Sequence, residues 1–425
     1  MTPTAERTSS LADGRILGLI AFLALPVALF APKGMAPLFG VAGLSCLIAN
    51  LAHKRGWPVM AGWSMALAAG FAMLSAASAI WSMTPGVSLK GALVLGLVLI
   101  LGLLLASTAR RLQGASKHAF ETGLIAGGVL GLAIIGIEVS FGDPLYSAAL
   151  RLIGRPPETA AVLLRSINQG AAVTAIFLLP WAVVVRRRFG SAWAGVGLAV
   201  GVGVLAACEA DSQKVALVVG LAAALITLLG GKSALRGFSV LFVVGVLSAP
   251  WVVTMLPDPL QPNNSAAVLP GSSQHRLVIW QTTAGLIFKR PLLGSGFDTA
   301  RAFYGADKKV EYHFGGEGAN TKWANLFEPI PLHPHNGVLQ VWLELGLVGA
   351  LLFAGSLFFI MGRLAVIRNN FERSMLSGAF VTGLTIFSVS YGAWQGWWLG
   401  AIWLMIAFGV ASVADPTDDG ARERP

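Results

Sequence analysis

Runs of about 20 mostly apolar residues recur along this chain, each closed by a short polar or basic stretch, and a helix of that length crosses a hydrocarbon core. The pattern predicts twelve spans, near residues 15–31, 34–52, 58–81, 88–108, 119–141, 168–186, 191–208, 213–230, 236–255, 336–362, 374–391 and 395–414. The expected fold class is all-α, a polytopic transmembrane helical bundle forming a single domain over 1–425. Residues 256–335 break the rhythm as a long loop between the ninth and tenth spans. Loops of that length usually act as lids or binding elements.

Charge adds direction to the pattern. Lys54-Arg55, Arg110-Arg111, Arg186-Arg187-Arg188, Lys232 with Arg236, and Arg363 with Arg368 fall in alternate loops, and short loops rich in Lys and Arg stay on the cytoplasmic side. Both termini are therefore expected in the cytoplasm and the long loop on the opposite side, the periplasm of a bacterium. Arg7 and Arg15 precede an apolar run from Ile16 to Ala31, but no small-x-small cleavage site closes it, so a retained first helix is expected. Two groups go against the orientation rule: Arg151, Arg155 and Arg165 before the sixth span, and Glu209, Asp211 and Lys214 between the seventh and eighth. Solvated headgroup contacts would explain them. Arg165 and Lys214 lie against the start of a span and are also candidate substrate-binding cations.

Composition narrows the function classes. The chain has 425 residues, 55% hydrophobic and 12% charged, far more apolar than a soluble domain. A net charge of +10 would suit nucleic acid, yet the cations are scattered in short clusters and no groove-reading motif is present, so no nucleic-acid partner is expected. Cys46 and Cys208 make neither a disulfide framework nor a metal spacing.

The long loop holds four of the six histidines, His275, His313, His333 and His335. From His275 to Pro291 it reads as an amphipathic helix, with Leu277, Trp280, Ala284 and Phe288 at helical spacing, suited to lie along the membrane surface. Pro291 and Gly294-Ser295-Gly296 then stop the helix and turn the chain. Arg276, in the first turn, has two readings: interfacial snorkelling, or an anion clamp, since a guanidinium offers a planar fork to phosphate oxygens. His333-x-His335, joined by His313 or Glu317, hints at a metal, but no spacing fixes three ligands and none is expected.

The tenth span starts at Pro334-His335-Asn336, with Asn336 a good helix cap. Asn336, Gln340 and Glu344 follow at i, i+4 and i+8 and descend one helix face by about 12 Å. Polar groups taken into a span must face protein or a wet cavity, so these three are candidate substrate contacts. His335, at the membrane mouth, can accept a proton at neutral pH and is the candidate general base, although a capping or interfacial histidine would look the same. His333 is a supporting residue or a further substrate contact. Gly346 and Gly349 are expected to allow close packing against a neighbouring helix.

At these residues the chain resembles the bacterial O-antigen ligase and O-antigen polymerase superfamily of membrane glycosyltransferases. The resemblance rests on His335-Asn336 with Leu339, Glu344, Gly346 and Gly349, on the Arg276 to Trp280 segment leading to Pro291 and Gly294-x-Gly296, and on the late long loop. It implies a GT-C-like fold in the bacterial inner membrane, an undecaprenyl-diphosphate-linked glycan donor, a site on the periplasmic face, and no metal or other cofactor. It casts His335 as the base that deprotonates the acceptor hydroxyl and Arg276 as the residue that binds the diphosphate. Where the family usually carries Ser/Thr-Arg, this chain has Asp211-Ser212-Gln213-Lys214, which leaves Lys214 or Arg165 to complete the anion site. The function implied is transfer of a lipid-linked saccharide to lipid A-core or a similar glycan acceptor, with inversion. A polymerase using the same site and a transporter that moves lipid-linked saccharides without making a bond are the alternatives.

Overall fold

The structure, a computed structural model, describes residues 3–52, 62–154, 160–259, 265–303 and 330–413, with the backbone alone at 3–10, 160–166 and 267. Among them thirteen α-helices and no strands occur. In chain order they are α1 (Pro3–Phe30), α2 (Met35–Ala52), α3 (Gly62–Ala77), α4 (Pro85–Arg110), α5 (Gly114–Phe141), α6 (Pro144–Leu152), α7 (Ala160–Phe189), α8 (Ser191–Ala207), α9 (Asp211–Thr254), α10 (Gly271–Ile287), α11 (Gly337–Ala365), α12 (Asn370–Val389) and α13 (Gly396–Ser412). Eight are long and apolar enough to cross a membrane, and α8 and α13 are shorter apolar helices. The molecule is a polytopic membrane helical bundle. Large apolar side chains such as Leu93, Leu97, Val218, Leu229 and Phe358 are exposed on its flanks, where lipid would cover them.

Every predicted span is occupied by a helix or a helix arm, because uninterrupted apolar runs leave the backbone only its own carbonyls as partners. α9 accounts for two of them. Gly378 of α12 lies against the backbone of Gly220, while Phe380, two residues on, has its ring 6.4 Å from that of Phe242. A straight helix would separate positions 220 and 242 by about 33 Å. The chain therefore doubles back at Gly231, where φ is 58° and ψ −135°. The basic break at Lys232 and Arg236 had predicted this reversal.

Packing among the helices relies on small residues, as expected where lipid tails remove the hydrophobic drive for association. Gly197 and Gly201 of α8 receive Trp181 and Leu178 of α7, whereas Gly195 and Gly203 face open space. Two polar ends result. At one, Arg187 of α7 pairs with Glu121 of α5 and reaches Glu372 of α12 at 3.6 Å. The other end, 20 residues of α12 away, carries Ser390 and the starts of α9, α10 and α11.

Candidate functional site at the mouth of a broken helix

α11 is not one continuous helix. Gly346 has φ 62° and ψ −157°, which breaks the hydrogen-bond ladder two residues below Glu344. The segment after α10 fills the gap: Ser295 and Gly296 donate their N–H groups to the carbonyls of Leu343 and Glu344, both at 2.9 Å, and Leu347 donates to the Pro291 carbonyl at 2.8 Å. Pro291 to Gly296 thus satisfies the backbone groups freed by the break. Gly294 is required there, since its φ is 66° and an added Cβ would lie 2.4 Å from the Glu344 carbonyl carbon. The expected partner of Gly346 was a neighbouring helix. The structure corrects this, because its close contact is the backbone of the turn at Leu292 and Leu293.

Above the break, Gln340 and Glu344 tie the surrounding loops together. Glu344 is fully buried, and its two oxygens accept four hydrogen bonds, from Asp298 N–H, Ala300 N–H, Gln340 Nε2 and Trp394 Nε1. Gln340 accepts from Ala393 N–H at 2.8 Å through Oε1. Asn336 caps α11, its Oδ1 accepting from Leu339 N–H at 3.0 Å. The polar stripe of α11 is therefore engaged with protein along its length.

His335 stands just before the cap in a left-handed conformation, φ 52°. A non-glycine residue held there costs about 1–3 kcal/mol, so neighbouring contacts must hold it. Its N–H donates to His333 Nδ1 at 3.2 Å, and its own Nδ1 is 2.8 Å from the Ser390 carbonyl. A carbonyl only accepts, so Nδ1 carries the proton and Nε2 is the basic nitrogen. Burial pushes the His335 pKa below its ordinary value, and the Arg276 charge pushes the same way against the Ser390 bond. His333 is pinned by Gln395 at 2.9 Å and by Gly392 against its ring. Burial, with the His335 and Arg301 charges, lowers its pKa to about 3, so it stays neutral.

The cationic side comes from α10 and the start of α9. Trp280 Nε1 donates to the Pro334 carbonyl at 3.1 Å, which docks α10 beside the His335 loop. Arg276 projects from the same helix and donates to Ser212 Oγ at 2.8 Å. Burial lowers its pKa, while Tyr391 and Asp211 hold it up. Ala210, the N-cap of α9, offers no side-chain acceptor, so the α9 start presents backbone donors and the positive end of its dipole beside Arg276. Lys214 projects from that first turn, one-third exposed and 3.4 Å from Asp211 Oδ1. The structure thus brings His335, His333, Arg276 and the Asp211 to Lys214 turn to one end of the bundle. Arg165 lies in the first turns of α7, and its side chain, like His313 and Glu317, falls outside the described residues. Among the described residues no three His, Cys, Asp or Glu side chains come together as a metal site.

Sequence reasoning missed the turn between α12 and α13. Ser390, Ala393, Trp394 and Gln395 supply partners to His335, Gln340, Glu344 and His333, and Tyr391 joins the anion side. The Tyr391 hydroxyl accepts from Gln213 Nε2 at 3.0 Å and is 3.3 Å from the Asn168 carbonyl, and burial raises its pKa to about 12. The one available signal was the aromatic cluster Tyr391, Trp394, Trp397, Trp398 where two spans meet.

Residues 159–354 match the family model described as O-antigen ligase. A protein of Rickettsia bellii (strain RML369-C), provisionally named a polysaccharide ligase, is 31% identical over 173 residues, 40% of each chain. Similarly named proteins of Rickettsia felis (strain ATCC VR-1525 / URRWXCal2) and Rickettsia prowazekii (strain Madrid E) are 33% and 30% identical over 32% and 39% of this chain. The chain matches 40%, 31% and 38% of the length of these three relatives. The family match takes in Lys214, Arg276, His335 and Glu344 and ends before the turn at Ser390.

Proposed function

Because residues 159–354 match the O-antigen ligase family model, we propose that the chain is a membrane glycosyltransferase of that superfamily. It transfers a saccharide from undecaprenyl diphosphate to a hydroxyl of lipid A-core or a similar glycan, at the periplasmic face of a bacterial inner membrane, on a GT-C-like scaffold. The observation that supports this reading most is the meeting of a neutral histidine, its Nδ1 committed to the Ser390 carbonyl, with a guanidinium anchored on Ser212.

The chemistry fits the two sides of the site. His335 Nε2 takes the proton of the acceptor hydroxyl as its oxygen bonds to the anomeric carbon. The bond from that carbon to the diphosphate oxygen breaks on the opposite face, which inverts the centre and releases undecaprenyl diphosphate. Its new negative charge falls to Arg276, the α9 start and Lys214, donors already in place before the reaction. Base and cations suffice without a metal, since a neutralised diphosphate is a good leaving group. Asn336 and His333 shape the mouth, and Arg165 is the remaining candidate for the donor.

Glycolipid analysis of a deletion strain tests the proposal. Wild type should restore polymer-bearing lipid A, whereas His335→Ala should leave long polymer on the lipid carrier, with transfer down by about 10²-fold or more. Single repeat units on lipid A would point to a polymerase instead. Normal glycolipid from His335→Ala would overturn the role of the base, and purified protein that makes no glycosidic bond from donor and acceptor would overturn the enzyme.

A further inference from the structure

We infer that the 390–395 turn between α12 and α13 is the orienting member of this site, and that Gln340 and Glu344 are positioning residues that hold the turn rather than substrate contacts. The inference rests on the reading of His335 as base. A histidine base needs a partner on its second nitrogen to select the tautomer and aim the ring. Here that partner is a backbone carbonyl, Ser390 O, 2.8 Å from Nδ1. A carbonyl is aimed by its backbone, so whatever fixes the turn fixes the base.

Three bonds fix it. Ala393 N–H reaches Gln340 Oε1 at 2.8 Å, Trp394 Nε1 reaches Glu344 Oε2 at 2.6 Å, and Gln340 Nε2 joins the two acceptors by donating to Glu344 Oε1 at 3.0 Å. From the other side the Gln395 side chain accepts from Trp397 Nε1 at 3.1 Å through Oε1 and packs against the His333 ring. His333 in turn accepts the N–H of His335. The ring and the backbone of His335 are thus both referred to one turn. The turn is referred to the half-helix of α11 above its break. Glu344 has no oxygen left for a ligand, since Asp298 and Ala300 N–H groups take the remaining acceptor positions. A carboxylate still governs the base, two links away.

The experiment uses the full chain in lipid nanodiscs with 15N-labelled histidine, the His335 signals being assigned by their loss in His335→Ala. Wild type should show His335 protonated at Nδ1 and bare at Nε2. Gln340→Met and the milder Trp394→Phe should give a mixture of tautomers. They should lower kcat by roughly ten- to a hundredfold, the scale of an approximately 1 Å misplacement, with donor KM within about twofold. A residue that only stabilised the fold would lower yield or melting temperature and leave the tautomer and the kcat of folded protein intact. An Nε2-protonated His335 in wild type overturns the inference. So does wild-type tautomer and kcat in both variants. If His335→Ala keeps its turnover, the base reading has failed, and the tautomer populations still judge the turn.

Discussion

His335 combines a strained backbone with a ring whose proton position is set by an acceptor-only neighbour. Its surroundings also set its titration: burial and Arg276 depress the pKa below 6.5, and the Ser390 carbonyl offsets part of this. His275 lies close enough to feel the same charges, and His333 stays neutral. As the proposed base, His335 acts when unprotonated, so activity should be present above the depressed pKa and lost as pH falls through it. The acid limb of the kcat/KM profile should therefore have an apparent pKa below 6.5. An acid limb above neutrality would exclude this histidine as the group observed. Arg276 gives a second expectation at the same scale. Its fork spends one N–H on Ser212 and has others for phosphate, whereas a lysine is a point charge that cannot serve both in fixed geometry. Arg276→Lys should raise donor KM nearly as much as Arg276→Ala; full retention by lysine would mean that simple charge is enough.

At the scale of elements, the break in α11 matters more than its length. A broken helix exposes backbone groups that lipid cannot satisfy, so irregular backbone at this depth survives only where protein covers it. Pro291 to Gly296 is that cover. Gly346→Ala would put a side chain at φ 62° with its Cβ 2.4 Å from the Leu292 carbonyl. It should cost about 3 kcal/mol or more, adding left-handed strain to a clash with backbone. Thermal melts in detergent should show a marked fall for Gly346→Ala and little change for Gly203→Ala, whose Cβ meets nothing. Equal stability of the two would mean that the break is not held by the inserted segment.

For the whole molecule, the separation of the two polar ends is the organising feature. The Arg187, Glu121 and Glu372 cluster and the His335 site lie at opposite ends of α12, about 30 Å apart for 20 helical residues. Positive charge retained in the cytoplasm would put the site in the periplasm. A phosphatase reporter fused within the 256–335 loop should be active and one fused after α7, beside Arg188, inactive; the reverse result would turn the molecule over and remove access to a periplasmic acceptor.

The sequence by itself determined the helices and the break between 230 and 236, and it singled out His335 and Arg276 as candidates, because apolar run length, basic breaks and polar groups at a span mouth are local signals. It also marked Gly294 and Gly296 as places where the chain turns, whereas at Gly346, where α11 breaks, it signalled only a packing contact. Only the tertiary structure decided what those bends are for. That Pro291 to Gly296 completes α11, that Ser212 anchors Arg276 from 64 residues away, and that Ser390 orients His335 across 55 residues are pairings between distant segments. Each depends on a backbone carbonyl, a small hydroxyl or a glycine, groups that occur throughout the chain. Their importance arises from position alone, and position is fixed by the packing of α9, α10, α11 and α12 together.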